Sequence, residues 1–160
     1  MDRVARGKRE RRNTHHMDQF LGSHVSRLDA KGRISIPAPF RAVLKATQDA
    51  TSIVLRRSHQ HPCIDVWPMA MLEQSKARLA QMDMLDPAYD DMAARLFGDS
   101  QPAEPDKEGR IILPQRCLQH AGITEMVTIT GRGTYFQIWE SEAAERRLNA
   151  VYAQSAGGGA

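Results

Sequence analysis

A ten-residue motif that occurs twice constrains this chain more than any other feature of its sequence. The first copy covers residues 28–37 (LDAKGRISIP), and the second covers residues 105–114 (PDKEGRIILP), 77 positions further along. Both copies read Asp-x-x-Gly-Arg, then three residues that are apolar at the first and third places, and then proline. The repeat predicts two units with the same local structure.

Each residue type in the motif has a physical role in a tight turn that leads into a strand. Asp29 and Asp106 stand where the side chain can accept hydrogen bonds from the backbone ahead of it. Gly32 and Gly109 can adopt the positive φ that a tight return requires. The apolar runs predict strands, and the proline after each run predicts the start of a helix. Each copy is therefore expected to hold an arginine beside an aspartate.

The duplication extends beyond the motif. Val66-Trp67 matches Ile138-Trp139 at an offset of 72, close to the 77 of the motif. The order strand, helix, strand, strand, helix is therefore expected in both halves. The predicted strands are 23–28, 34–36, 53–55, 63–67, 111–113, 126–129 and 136–139. The predicted helices begin at Pro37, Pro68, Pro87, Pro114 and Glu140, and the last is expected to end near Tyr152.

Apolar residues at helical or alternating spacing predict which faces are buried. The residues expected to point inward are Val25, Phe40, Val43, Leu44, Met69, Leu72, Leu79, Met82, Tyr89, Met92, Ala93, Leu96, Phe97, Ala144, Leu148, Val151 and Tyr152. Residues 99–105 should be a strand by analogy with 23–28. Pro102 and Pro105 lack N–H donors, so this segment can be only an edge strand or an irregular lead-in.

The composition is that of an ordinary globular protein. With 160 residues and an apolar share of 41%, the chain can form one domain, or two small ones that share a core. No apolar run approaches the length of a membrane span, and the beginning of the chain lacks the apolar stretch of a signal peptide. Cys63 and Cys117 show no paired spacing, which favours a reduced, cytoplasmic compartment.

The net charge of +3 is concentrated at the beginning of the chain. Six Lys or Arg residues and two acidic residues lie within residues 1–16, so the rest of the chain is close to neutral. This basic arm is interpreted as a solvated, disordered leader or as a phosphate contact. Met17 is a plausible alternative start. Any argument for nucleic-acid binding therefore depends on local charge.

Several other residues are of types found in metal, cofactor or catalytic sites. His59-x-His61-x-Cys63 and Cys117-x-x-His120 contain metal-ligand types, but their spacings differ and their places in the repeat are not equivalent, so no metal is predicted. No phosphate-binding loop, HExxH motif or recognised catalytic spacing occurs, so no enzyme activity and no cofactor are predicted. Trp67 and Trp139 are interpreted as core or interface residues rather than base-stacking platforms.

The chain resembles the MraZ family of bacterial transcriptional regulators, which are built from two copies of the SpoVT-AbrB-type swapped-hairpin domain. The resemblance runs from about Gln19 to Tyr152. The residues that carry it are Gly22, Leu28-Asp29, Lys31-Gly32-Arg33, Pro62-Cys63, Trp67-Pro68, Asp106, Gly109-Arg110, His120-Ala121-Gly122 and Ile138-Trp139.

The resemblance implies an α+β fold, a pseudo-two-fold tandem AbrB-type β-hairpin barrel that is small and closed and has flanking helices. The implied organisation has five parts. They are a basic arm (1–18), a first SpoVT-AbrB-like domain (22–69), connecting helices (70–98), a second such domain (99–142), and a C-terminal helix with a loose tail (143–160).

The resemblance also implies a function. Family members form ring-like homo-oligomers and bind short direct repeats in double-stranded DNA upstream of the division and cell-wall operon, where they typically repress transcription. A nucleoid-associated protein without a membrane or small-molecule partner is expected. The residues expected to contact DNA are Lys31, Arg33, Lys107 and Arg110, with Arg27 and Arg41 adding positive charge around the first copy.

Two alternatives remain open from the sequence. Arg33 and Arg110 could serve only as intramolecular partners of Asp29 and Asp106, or could also point outward to DNA.

The second copy departs from the first, because Glu108 occupies the place of Lys31. The alternative function is an antitoxin-like or oligomeric protein-interaction module in which DNA binding is weak.

Overall fold

The computed structural model describes residues 18–48 and 51–157, so most of the predicted basic arm lies outside the described residues. The strands are β1 (Ser23–Arg27), β2 (Arg33–Ser35), β3 (Ile53–Arg57), β4 (Ile64–Pro68), β5 (Gln101–Ala103), β6 (Arg110–Ile112), β7 (Met126–Gly131) and β8 (Phe136–Glu140). The helices are α1 (Ala38–Thr47), α2 (Met69–Leu79), α3 (Pro87–Ala93), α4 (Gln115–Ala121) and α5 (Ser141–Gly157). A π-helical turn, Ala94–Gly98, extends α3.

The helix boundaries follow the punctuation in the sequence. Pro37 and Pro114 immediately precede α1 and α4, as predicted. The Asp86 side chain caps α3 by accepting a hydrogen bond from the Ala88 N–H. Gly122 ends α4 in the left-handed conformation, with φ of 64°.

The strands pair so that the two halves of the chain interleave. One antiparallel sheet has the order β1-β7-β8-β4-β3-β5, and β2 and β6 form a separate two-stranded ribbon. When each strand is exchanged for its counterpart in the other copy, the six-stranded order reads the same from the opposite end. The duplicated plan is therefore present in the strand pairing, while its assignment as AbrB-type stays a prediction.

The strand registers locate the pseudo-two-fold relation. In the ribbon Ile34 lies opposite Ile111, and these residues are equivalent in the two copies. In the six-stranded sheet Asp65 lies opposite its counterpart Gln137, and the Gln137 amide donates a 3.0 Å hydrogen bond to the Asp65 carboxylate. The axis therefore passes through both pairs.

The predicted closed barrel is wrong for the part of the chain described. The six-stranded sheet is open, with β1 and β5 at its two edges. Strand β5 has only three residues, and Pro102 at its centre lacks an N–H donor, so it pairs with β3 alone. Of the two predicted alternatives, an edge strand or an irregular lead-in, residues 101–103 form the edge strand.

The core lies where the six-stranded sheet, the ribbon, α1 and α4 meet. Its largest fully buried side chains are Phe20, Phe40, Phe136, Ile34, Ile36, Leu44, Ile53, Leu55, Ile64, Ile111, Ile129 and Ile138. The inward face predicted for α1 is confirmed, since Phe40, Val43 and Leu44 are all buried. This core fixes the ribbon against the rest of the fold.

Other predicted inward faces are exposed. Val25 is 68% exposed because it lies on the outer side of an edge strand. Helix α5 continues to Gly157, and its Leu148, Val151 and Tyr152 are exposed because only the first half of the helix packs against the sheet. Within residues 18–48 and 51–157, no helix is long and apolar enough to cross a membrane.

Candidate nucleic-acid interface

The β2–β6 ribbon presents one face to the core and the other to solvent. Ile34 and Ile111 point inward and are almost completely buried. Because side chains alternate along a strand, their neighbours point outward. Arg33 lies opposite Ile112 and Ser35 lies opposite Arg110, so these four residues share the outward face.

The two arginines are diagonal neighbours on this face. Residues in that relation lie about 7–8 Å apart. The side chain of Arg33 is 23% exposed and that of Arg110 is 33% exposed, so neither is sealed inside the fold. The ribbon therefore carries two partly exposed guanidinium groups on a single surface.

In the first turn, residues 29–33, the aspartate organises the backbone and holds the arginine. Asp29 Oδ1 accepts 2.9 Å hydrogen bonds from the backbone N–H groups of Lys31 and Arg33. Asp29 Oδ2 accepts a 2.8 Å bond from Arg33 Nε. Gly32 has φ of 75°, which a side chain would disfavour. The carboxylate therefore fixes both the turn and the direction of the guanidinium.

The second turn, residues 106–110, repeats these bonds. Asp106 Oδ1 accepts 2.9 Å bonds from the backbone N–H groups of Glu108 and Arg110, and Oδ2 accepts a 2.9 Å bond from Arg110 Nε. Gly109 has φ of 78°. The two turns thus have the same backbone geometry.

The hydrogen bonds lower the pKa of both aspartates. For each carboxyl the largest cause is the bond from the backbone N–H of the turn arginine, with the guanidinium of the same residue adding to it. Asp29 and Asp106 therefore remain ionised at pH values below the usual pKa range of an aspartate side chain.

The arginines differ in their other partners. Arg33 bonds Asp29 through Nε, and its two terminal nitrogens make no hydrogen bond to any residue within the described ranges. Arg110 Nη2 forms an ion pair with the Glu108 carboxylate. Both terminal nitrogens of Arg33 are therefore available to a ligand, whereas one of the two in Arg110 is already paired with Glu108.

The helices cross between the copies. Arg41 lies on α1 of the first copy, and the sequence associated it with the first turn, but its side chain packs on Gly109 of the second turn. A Cβ at Gly109 would lie only 2.5 Å from Arg41 Cδ. Arg41 Nε is buried and has no hydrogen-bond partner among residues 18–48 and 51–157. Glycine at 109 therefore permits the close approach of Arg41.

Leu118 of α4 is the counterpart of Arg41 and lies beside the first turn. Together with Leu28, Leu113 and residues 29–32, it lines an open concavity of about 530 Å³. Two backbone hydrogen bonds complete the exchange: Ile36 N–H donates to the Gly109 carbonyl at 2.8 Å, and Leu113 N–H donates to the Gly32 carbonyl at 2.9 Å. Each copy supports the turn of the other.

The remaining predicted DNA contacts have distinct positions. Lys31 and Lys107 are exposed in the first and second turns. Arg27 ends β1 and forms a 2.7 Å ion pair with Glu125, and both side chains are largely exposed. Part of the positive charge of Arg27 is therefore already compensated.

Sequence reasoning missed Ile112, which lies on the outward face and is 65% exposed. The period-two pattern of β6 contained the signal, since Ile112 is two residues from Arg110. The cross-copy position of Arg41 had no such local signal.

The cysteines and tryptophans lie away from this surface. Cys63 and Cys117 are buried free thiols, and burial raises the pKa of Cys63 to about 12. Among the residues described, no three His, Cys, Asp or Glu side chains are grouped to hold a metal ion. Trp67 and Trp139 are buried, and Trp139 Nε1 donates to Gln137 Oε1 at 3.0 Å.

Comparison with known proteins yields one family. The sequence profile described as "MraZ protein, putative antitoxin-like" matches residues 19–94 and 96–150. Among curated relatives, the transcriptional regulator MraZ of Gluconacetobacter diazotrophicus is 50% identical over 133 residues, which cover 82% of this chain and 84% of the relative. That of Gluconobacter oxydans is 44% identical over 84% of each chain. That of Rickettsia rickettsii is 34% identical over 84% of this chain and 90% of the relative.

Proposed function

The chain belongs to the MraZ family, and from this premise we propose that it is a transcriptional regulator that binds double-stranded DNA through the outward face of the β2–β6 ribbon. The single observation that carries the proposal is the presence of Arg33 and Arg110 on the same solvent-facing surface. The names of the relatives support regulation of transcription.

The shape and chemistry of the ribbon suit the major groove. That groove admits a two-stranded β-ribbon, and an arginine can bind O6 and N7 of guanine in a bidentate manner. The hydrogen bonds of Asp29 and Asp106 orient the guanidinium groups before DNA arrives, which reduces the entropy lost on binding. Lys31, Lys107 and Arg41 add positive charge for nearby phosphates.

One ribbon is too small for tight, specific binding, because a good bidentate contact discriminates by only about 1–3 kcal/mol. We therefore propose that a ring-like homo-oligomer binds several short direct repeats at once, so that effective concentration raises the affinity. Such repeats upstream of the division and cell-wall operon would make the protein a repressor that acts on the nucleoid.

Exposed apolar side chains on α3, its π-helical turn and α5, and in the loop between α2 and α3, support assembly. The residues concerned are Met84, Leu85, Met92, Phe97, Leu148, Val151 and Tyr152. Their burial between subunits would remove apolar surface from water. The same observation favours the second candidate function, an antitoxin-like or oligomeric interaction module in which these helices bind a protein and DNA binding is weak.

Binding measurements on the DNA upstream of the chain's own reading frame test the proposal. The full chain is titrated against that DNA and against a shuffled sequence at two salt concentrations, with light scattering on the same samples. Specific binding that weakens steeply with salt is expected, with a slope of roughly 0.9 per phosphate neutralised.

The variant Arg33→Ala/Arg110→Ala should lose specific binding while it keeps its oligomeric state. Arg78→Ala, which removes an exposed arginine from α2, is the matched control and should bind like the unaltered protein. Unchanged affinity in the double variant would refute the ribbon as the DNA site. A protein that assembles but never distinguishes the upstream DNA from the shuffled sequence would favour the interaction module.

A further inference from the structure

The two turns have equivalent backbones, but they differ in their charged side chains and in the helix residue that lies over each turn. Glu108 of the second turn takes the place of Lys31, and it occupies a terminal nitrogen of Arg110. On the covering helices, Arg41 takes the place that Leu118 has in the other copy. Because Lys107 takes the place of Ala30, the second turn has as many cations as the first but one more anion, and Arg41 from the first half of the chain offsets that anion.

From this exchange we infer that the two turns contact DNA unequally: Arg33 reads a base, whereas the second turn is anchored to the phosphate backbone through Arg41. This inference deepens the proposed function and rests on it. It assigns Arg41 a specific role at the second turn, in place of a general contribution of charge around the first.

The charges near the two turns support this division. The first turn has Lys31 and Arg33 against Asp29. With Arg41 included, the second turn has three cations, Arg41, Lys107 and Arg110, against the two anions Asp106 and Glu108. Both turns therefore keep an excess of one positive charge, although the charges are arranged differently. The second turn depends on Arg41 for that excess, and without it cations and anions would balance.

The contacts of each arginine determine what it can recognise. Bidentate recognition of guanine needs the terminal nitrogens of a guanidinium. Those of Arg33 make no bond within the described residues, whereas Arg110 has one committed to the exposed Glu108. A carboxylate beside the groove edge also repels phosphates, so Arg110 is a poor base reader in this chain.

Arg41 is suited to an anion that approaches from outside. Its Nε is buried and has no partner in the described part of the chain. Its aliphatic part and guanidinium pack on Gly109, which limits the positions available to the charged end. It forms no ion pair with any acidic residue in 18–48 or 51–157. A DNA phosphate would provide the missing partner, and such contacts position a protein without specifying sequence.

A unit with one base-reading turn and one phosphate-binding turn has a direction. The pseudo-two-fold backbone alone would fit a symmetric site equally well in both orientations. Unequal turns fit an asymmetric site in one orientation, which is the arrangement that direct repeats present to successive subunits.

The test combines a base-substitution scan of one repeat with salt titrations of full-length variants. Arg33→Ala should relax discrimination at one base position, by roughly 5- to 150-fold in relative affinity. Arg41→Leu, which copies the residue of the other half, should weaken all sequences about equally and reduce the salt slope by about 1 per bound subunit.

Glu108→Lys is the second variant, because it frees the end of Arg110 and copies Lys31. It should tighten binding and add a second discriminated base position to the scan. Arg41→Gln keeps hydrogen-bonding capacity without charge and guards against a packing effect of leucine; its salt slope should fall as for Arg41→Leu.

Three outcomes would overturn the inference. They are an unchanged salt slope in both Arg41 variants, a change of base preference in those variants, and equal loss of discrimination in Arg33→Ala and Arg110→Ala. Each leaves the proposed function intact, because DNA binding through the ribbon persists. Failure of the Arg33→Ala/Arg110→Ala test described above would instead remove the proposed function itself.

Discussion

The first turn, residues 29–33, and the second turn, residues 106–110, have nearly the same backbone but different surroundings. In both, an aspartate accepts two backbone N–H groups and the arginine Nε, and a glycine adopts positive φ. Within the described residues, only the second turn has a second acidic residue, Glu108, on its arginine and an arginine from the other copy on its glycine. Turn geometry and ligand contact are therefore separable properties, set by different residues.

Glycine substitutions should have the largest effect on this comparison. Gly32→Ala and Gly109→Ala each force a side chain into positive φ, and each should lower the free energy of unfolding by about 1–2 kcal/mol. Only Gly109→Ala also displaces Arg41, because nothing lies closer than 4.0 Å to a Cβ at Gly32. Urea unfolding measures the shared loss, and the salt slope of DNA binding should change in Gly109→Ala alone.

The next test exchanges Arg41 and Leu118, the equivalent helix residues that lie beside the second and the first turn. Leu118→Arg should bring a new cation to the first turn, where its guanidinium can extend into the concavity, and should strengthen binding to all DNA sequences by a few fold. Because Leu118 is a core residue and only 9% exposed, the change should also lower the free energy of unfolding. Combined with Arg41→Leu, it should move the phosphate anchor from one turn to the other. An unaltered salt slope in Leu118→Arg would mean that this position does not face DNA.

Acid should weaken both turns together. The folded-state pKa of Asp29 and of Asp106 is lowered, so their contribution to stability is complete above the unfolded-state value of about 3.9 and is lost as the pH falls through the lowered value. The urea midpoint should therefore fall between pH 5 and strongly acidic solution. Asp29→Asn and Asp106→Asn should each flatten that dependence to a similar extent, whereas a large inequality would break the equivalence of the backbones.

The smallest effect is expected for Glu108→Gln. The Glu108 side chain is 68% exposed, so water screens its ion pair with Arg110. Loss of this ion pair should therefore hardly alter the melting temperature. DNA affinity should rise slightly, because a negative charge is removed from the surface and the end of Arg110 is released. Lys31→Gln is the matched change in the first turn and should lower affinity.

Sequence reasoning worked best where the signal was local. The turns, the helices that follow Pro37 and Pro114, and the edge position of residues 101–103 could all be read from turn residues and missing N–H groups. It failed for the closed barrel and for the exposed face of α5, because both depend on which elements pack together.

The sequence by itself determined the duplicated turn, since the bonds that define it join residues only two to four positions apart, such as Asp29 with Lys31 and Arg33. Only the tertiary structure decided that Arg41 covers Gly109 and that Arg33 and Arg110 share one face. The physical reason is that these relations arise from strands and helices that pair across the two copies. No pattern within one copy encodes the contact of its helix with the turn of the other.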